Sequence, residues 1–136
     1  MNQTESLIAK HEGLRLKPYT DTVGKLTIGY GRNLDDNGIT KYEAELMLTH
    51  DVANVYEDIK RFEWFTELDE VRQAVVVNMV FNLGINRFMK FKNTIMFIEK
   101  GLYTAAAEEM LDSKWARQVG NRAQELSLMM RSGEWL

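Results

Sequence analysis

The strongest pattern in the chain runs from residue 41 to residue 62. Ala44, Leu48, Val52, Val55, Ile59 and Phe62 recur at spacings of 4, 4, 3, 4 and 3, the signature of one helical face. Thr40 and Glu43 form a capping box at its start. Residues 41–62 would extend roughly 33 Å at ~1.5 Å per residue, long enough to connect two lobes. Residues 69–83 follow a different pattern. Ala74 to Val77 and Met79 to Phe81 make that segment apolar on nearly all sides, with Asn78 as the interruption. A helix of this kind is surrounded by others, so it predicts the core of a larger lobe, ended by Gly84. Shorter helices are expected at 3–12, started by Asn2 or Thr4 and stopped by Gly13. Others are expected at 86–91, at 94–100 with Asn93 as cap, at 105–115 with Thr104 as cap, and at 122–131.

Residues 14–31 read as extended chain. Pro18, the only proline, excludes a continuing helix. Asp21-Thr22-Val23-Gly24 is a turn signal between Lys17–Tyr19 and Lys25–Tyr30, which predicts a hairpin. Gly29 and Gly31 suggest a bend or a close backbone approach, and Asp35 to Gly38 a second turn. The pattern as a whole predicts an α+β, mostly helical fold within a single domain. It comprises a small hairpin lobe at about 13–40, a connecting helix at about 41–62, and a helical lobe at about 63–136 that includes helix 3–12.

Composition narrows the chemistry. The absence of cysteine excludes disulfides, iron–sulfur clusters and a thiol nucleophile. Two histidines are too few for a His-rich metal site, so no metal and no cofactor are expected. No apolar run reaches membrane-spanning length, and the first ten residues lack the basic and apolar regions of a signal peptide. Charge is uneven. Residues 1–70 hold 8 basic and 14 acidic groups, while residues 71–136 hold 9 and 6. The acidic first half argues against nucleic-acid binding. The basic second half could face an anionic polymer.

Two carboxylates stand in contrasting places. Glu12 ends a helix, at the carbonyl end that carries partial negative charge. Asp21 sits in the hairpin turn. Cleavage of a sugar–sugar bond asks for such a pair, one group to protonate the leaving oxygen and one to act on the opposite face of the ring. Thr27 could hold a water beside Asp21, and Arg122 could keep an acid ionised. Asn78 either satisfies backbone or lines a cleft. Phe81 and Trp115 could stack on sugar rings or pack in the core. Arg32 and Asp51 could form a structural salt bridge. By spacing alone each of these residues also has a plain reading, as a helix-end acid, a turn residue, a strand residue or a surface arginine.

The residues taken together resemble the phage lysozymes. Glu12, Asp21 and Thr27 match that family's pattern of Glu, eight residues, Asp, five residues, Thr. The stretches Glu12 to Lys17, Thr27 to Arg32, Gly38 to Glu45, Leu68 to Arg72, Asn78 to Phe81, Ser113 to Trp115, Asn121 to Ala123 and Arg131 to Trp135 match in kind. The resemblance implies a lysozyme-like two-lobed fold. It implies Glu12 as general acid, with Asp21 positioning the attacking water, helped by Thr27, and inversion at the anomeric carbon. Arg122 would pair with the catalytic glutamate, and Asn33, Asn78, Phe81 and Thr94 would meet glycan. The substrate would be the β-1,4 link between N-acetylmuramic acid and N-acetylglucosamine in peptidoglycan. The enzyme would be a monomer, made in the host bacterial cytoplasm without stable membrane insertion, and released to the wall by a separate membrane-permeabilising protein. The segment from Arg32 to Ile39 is shorter than in the T-even phage enzyme. Arg32 replaces a histidine, Glu109 an asparagine and Glu125 a basic residue. Two other readings stay open at this point: a lytic transglycosylase on the same bond, and a non-catalytic module that binds peptidoglycan or a partner.

Overall fold

The computed structural model describes residues 1–136. It is mostly helical, with one three-stranded antiparallel sheet, β1(Arg15–Thr20), β2(Leu26–Gly29) and β3(Arg32–Asn33), in the order β1-β2-β3. Ten helical segments accompany the sheet: α1(Gln3–Glu12), α2(Leu34–Asn37), α3(Lys41–Ile59), α4(Glu63–Thr66), α5(Glu70–Leu83), α6(Ile85–Phe88), α7(Lys92–Glu99), α8(Tyr103–Leu111), α9(Lys114–Val119) and α10(Asn121–Ser132). The chain divides into two compact units, Met1–Met47 and Leu48–Leu136. Helix α1 falls within the first unit and has no buried residue.

In the first unit, Asn2 starts α1 with a full capping box. Its side chain accepts from the Glu5 N–H at 2.7 Å, and Glu5 accepts from the Asn2 N–H at 3.2 Å. Strand β1 is longer than the Lys17–Tyr19 run suggested. Pro18 is tolerated because β1 is an edge strand, and its pairing with β2 is irregular between Arg15 and Tyr19, where the missing N–H costs nothing. The third strand is an addition to the expected hairpin. Thr27 pairs with Asn33 and Ile28 with Arg32 across a tight turn. At the end of β3, the Asn33 side chain accepts from the Asp36 N–H at 3.0 Å and turns the Asp35 region into the short helix α2.

The second unit holds the core. All the buried hydrophobic residues belong to it, from Val55 to Met130. Helix α5 is its centre, burying Val71, Val75, Val76, Val77, Met79, Val80 and Leu83. This is the all-round apolar segment expected from its sequence, with Asp69 as N-cap and Gly84 as C-cap. Helix α3 stops at Ile59 rather than Phe62. Only Val55 and Ile59 of its stripe are buried, while Ala44 and Leu48 are exposed.

The C-terminal half departs from expectation at two places. Helix α7 begins at Lys92, with Phe91 at the cap position and no side-chain cap bond, so Asn93 is helical rather than capping. The single helix expected over 105–115 is two helices. The Ser113 hydroxyl donates to the Met110 carbonyl at 2.7 Å and accepts from the Ala116 N–H at 3.0 Å. One side chain thereby closes α8 and opens α9. Arg72 ties α5 to the end of α10, donating to the Met130 carbonyl at 2.7 Å and the Arg131 carbonyl at 3.0 Å. Its guanidinium also lies 3.8 Å from the Tyr103 ring centroid. Asp69 holds Arg72 from the other side, at 3.0 Å. Burial pushes the Asp69 carboxyl up, but the Arg72 backbone N–H and guanidinium together outweigh it and hold the carboxyl below its ordinary value.

Candidate active site

The first unit carries both candidate acids. Glu12 is the last residue of α1 and is exposed. Gly13 closes the helix, its N–H bonding the Ala9 carbonyl at 2.9 Å. The Glu12 carboxyl group then lies against Gly31 in the β2–β3 turn. A Cβ on Gly31 would sit 2.5 Å from Glu12 Oε2 and 2.9 Å from Cδ. Gly31 is also at φ +78°, a conformation that side chains resist. Glycine is thus favoured there by its backbone conformation, and a side chain at this position would displace the Glu12 carboxylate.

Asp21 organises the β1–β2 turn through one of its two oxygens. Oδ1 accepts from the Val23 N–H at 3.0 Å and the Lys25 N–H at 2.8 Å. The Asp21 backbone N–H returns a bond to the Lys25 carbonyl at 2.9 Å. Oδ2 takes no protein donor and stays available. Thr27 is 3% exposed, the one buried residue of the first unit. Its hydroxyl donates to the Lys25 carbonyl at 2.9 Å. With its proton committed, Oγ1 can only accept from any further partner.

Asn33 sits opposite Thr27 in the register, and its side chain is engaged at both ends with Asp36, at 3.0 and 2.9 Å. Arg32 requires a correction. Its partner is Glu43, not Asp51. The guanidinium is bidentate, with Nη1 to Oε1 at 3.0 Å and Nη2 to Oε2 at 2.6 Å, and Nη1 also reaches the Gly38 carbonyl at 3.2 Å. Glu43 is in the first turn of α3, while Asp51 lies roughly 12 Å further along the helix at ~1.5 Å per residue. The Arg32 hydrogen bond, followed by the bond from the Thr40 N–H, lowers the Glu43 carboxyl to about 2. Glu43 raises Arg32 in return. Asp51 is exposed and forms no ion pair.

In the second unit, Asn78, Phe81 and Arg122 line one groove of ≈ 370 Å³, with Leu48, Val52 and Tyr56 as its other wall. Arg122 Nε donates to Asn78 Oδ1 at 2.8 Å, and Nη2 reaches the Asn78 carbonyl at 3.4 Å. The polar interruption of α5 therefore both lines a cleft and orients a cation. Phe81 is 43% exposed, an aromatic face open to a ligand. Trp115 is a core residue at 4% exposure, and its indole N–H donates to Asn82 Oδ1 at 2.8 Å. Thr94 is 2% exposed and lines a different groove, with Lys92, Asn93 and Glu109. The accessibility asked of it by a glycan contact is absent.

Sequence reasoning missed Glu43 as the partner of Arg32, Tyr56 as a groove wall, and the contact between Gly31 and Glu12. The capping box around Glu43 and the Gly-Tyr-Gly turn were the available signals, but neither names a distant partner.

Comparison with known proteins gives a consistent result. The family model described as phage lysozyme matches residues 9–133. "Probable T4-type lysozyme 1" of Dictyostelium discoideum is 26% identical over 163 residues, covering 98% of this chain and 96% of that protein. An endolysin of Acyrthosiphon pisum secondary endosymbiont phage 1 is 31% identical over 119 residues, covering 85% and 78%. The pre-baseplate central spike protein of Enterobacteria phage T4 is 27% identical over 157 residues, which is 93% of this chain but 27% of the spike protein.

Proposed function

The chain belongs to the phage lysozyme family and is a glycosidase that lyses peptidoglycan. From that premise we propose that it cleaves the β-1,4 bond between N-acetylmuramic acid and N-acetylglucosamine with inversion. Glu12 is the general acid: it gives its proton to the glycosidic oxygen as the C–O bond breaks. Asp21 and Thr27 hold the nucleophilic water. Asp21 Oδ2 accepts one of its protons and Thr27 Oγ1 the other, which leaves a lone pair of the water aimed at the anomeric carbon. As the new C–O bond forms, the water's proton passes to Asp21. Phe81 supplies a sugar-stacking face, and Asn78 with Arg122 supplies polar contacts. Asn33 is kept as a lesser glycan contact, since its side chain is engaged in capping, whereas Thr94 is enclosed and is not.

The observation that carries this reading is the Asp21 turn. A carboxylate fixed through one oxygen and free at the other, with a hydroxyl that shares the Lys25 carbonyl with the Asp21 N–H, is a preorganised water site. A transglycosylase needs no such site, because its product closes on itself. Product analysis of digested peptidoglycan tests the reading. Reducing muramic ends with the inverted anomer appearing first are expected. Anhydromuramyl ends as the main product would overturn it, as would full lysis of permeabilised cells by Glu12→Gln. We further infer that the enzyme acts as a monomer, is made in the host bacterial cytoplasm, and reaches the wall after a separate protein permeabilises the membrane. No helix is long and apolar enough to cross a membrane. Lysis on expression with, but not without, a pore-forming partner is the expected result.

A further inference from the structure

A second groove of the helical unit lies apart from the Asn78–Phe81–Arg122 groove and has opposite demands. It measures ≈ 230 Å³, and Arg87, Lys90 and Lys114 stand around a floor that includes Phe91 and Trp115. Arg87 lies in the last turn of α6, and Lys90 follows it closely, its N–H bonding the Arg87 carbonyl at 3.1 Å. Lys114 opens α9, and Gln118, four residues on, shares its helix face. No carboxylate lines this groove, and none of its three cations belongs to an ion pair. All three side chains are exposed. The Trp115 N–H is taken by Asn82 and its ring is buried, so Phe91, half-buried, is the ring of the floor that a ligand can reach.

Three exposed cations without an ion-pair partner stand around one partly apolar floor; their mutual repulsion is screened by water, and the nearest acids, Glu109 and Asp112, line the adjoining groove that shares Lys90. A ligand that fits has a C–H face for Phe91 and a compact group with nearly two negative charges for the rim. A phosphate ester on a sugar has both properties, since it carries ≈ −1.5 to −2 charge near neutrality and suits the arginine fork. We propose that this groove binds phosphorylated sugar units of an anionic envelope glycan. It gives a chain of net charge −3 a local attachment point on a surface that would otherwise repel it. Binding here involves no bond cleavage, so its test is independent of the hydrolytic reading.

The test is titration of the full chain with dextran phosphate. The comparisons are carboxymethyl dextran of equal charge density, neutral dextran, and a single-stranded oligonucleotide of equal charge. Dextran phosphate is expected to bind more tightly than the other three, with affinity falling as salt is added. Arg87→Gln/Lys90→Gln/Lys114→Gln is expected to weaken it at least about tenfold, the sum of three modest exposed ion pairs. Lys10→Gln/Lys41→Gln/Lys100→Gln, which removes the same charge elsewhere, is expected to leave it unchanged. Lys90→Glu alone should lower affinity while the thermal midpoint holds, which separates binding from folding. Equal weakening by both triple variants would reduce the effect to net charge and overturn the site. Equal binding of carboxymethyl dextran or of the oligonucleotide would overturn the phosphate or the glycan assignment.

Discussion

At the scale of the residue, the candidate acid is defined as much by an absent side chain as by its own. Gly31→Ala would place a methyl group 2.5 Å from Glu12 Oε2. It would also force an L residue to φ +78°, at a cost of about 1–3 kcal/mol. We expect hydrolysis to fall at least about tenfold while the protein still folds, read as lysis rate against thermal midpoint. Thr27 gives a sharper comparison. Thr27→Val keeps the shape and removes the acceptor, and should cost about 10²-fold in kcat. Thr27→Ser restores the oxygen and should recover most of the rate. Asn78→Ala would free Arg122 from its 2.8 Å bond, and about 1–2 kcal/mol of stability should be lost. The two candidate carboxylates stand out in the sequence through the resemblance of their spacing to the phage lysozyme pattern, since spacing alone leaves each a plain reading. The Gly31 contact could not, because it joins residues nineteen positions apart through an empty volume.

At the scale of the element, the local rules succeeded wherever one signal dominated. Helix α5 is apolar all round and was recognisable at both ends. The α3 start was equally clear from Thr40 and Glu43. The rules failed where one side chain serves two elements. Ser113 closes α8 and opens α9, while the apolar spacing of Ala106, Met110 and Trp115 runs on across the break. Ser113→Ala should cost about 1 kcal/mol, measured by chemical denaturation. Strand β3 is two residues long, too short to show a period. The Arg32–Glu43 pair ties that strand to α3, and its pH dependence has a definite sign. Glu43 is lowered from 4.5 to about 2, so its contribution is complete above about 4.5 and is lost as pH falls toward about 2. Unfolding midpoints of wild type and Glu43→Gln should therefore differ at pH 6 and converge as acid is added through that window. A constant gap down to pH 2 would contradict the assignment.

At the scale of the whole molecule, stability is unequally shared. The buried hydrophobic residues all lie between Val55 and Met130, whereas Thr27 is the one buried residue of the first unit. Amides of β1, β2 and α1 should exchange with deuterium well before those of α5, since local opening follows the density of buried contacts. The candidate acids thus stand on the less stable unit, and the aromatic groove on the more stable one. Hydropathy alone placed the core in residues 69–83 correctly, but the apolar stripe of the preceding helix includes Ala44 and Leu48, which are exposed. A periodic stripe says that a face is apolar without saying what covers it. The division between units at Met47 and Leu48 falls inside α3, which is helical from Lys41 to Ile59. A protease that hunts for a linker finds none there, because hydrogen-bonded helix does not fit the extended cleft of a protease. Beyond the end of α3 the bonds after Lys60 and Arg61 are exposed, so limited trypsin digestion should cut there rather than at the division inside the helix.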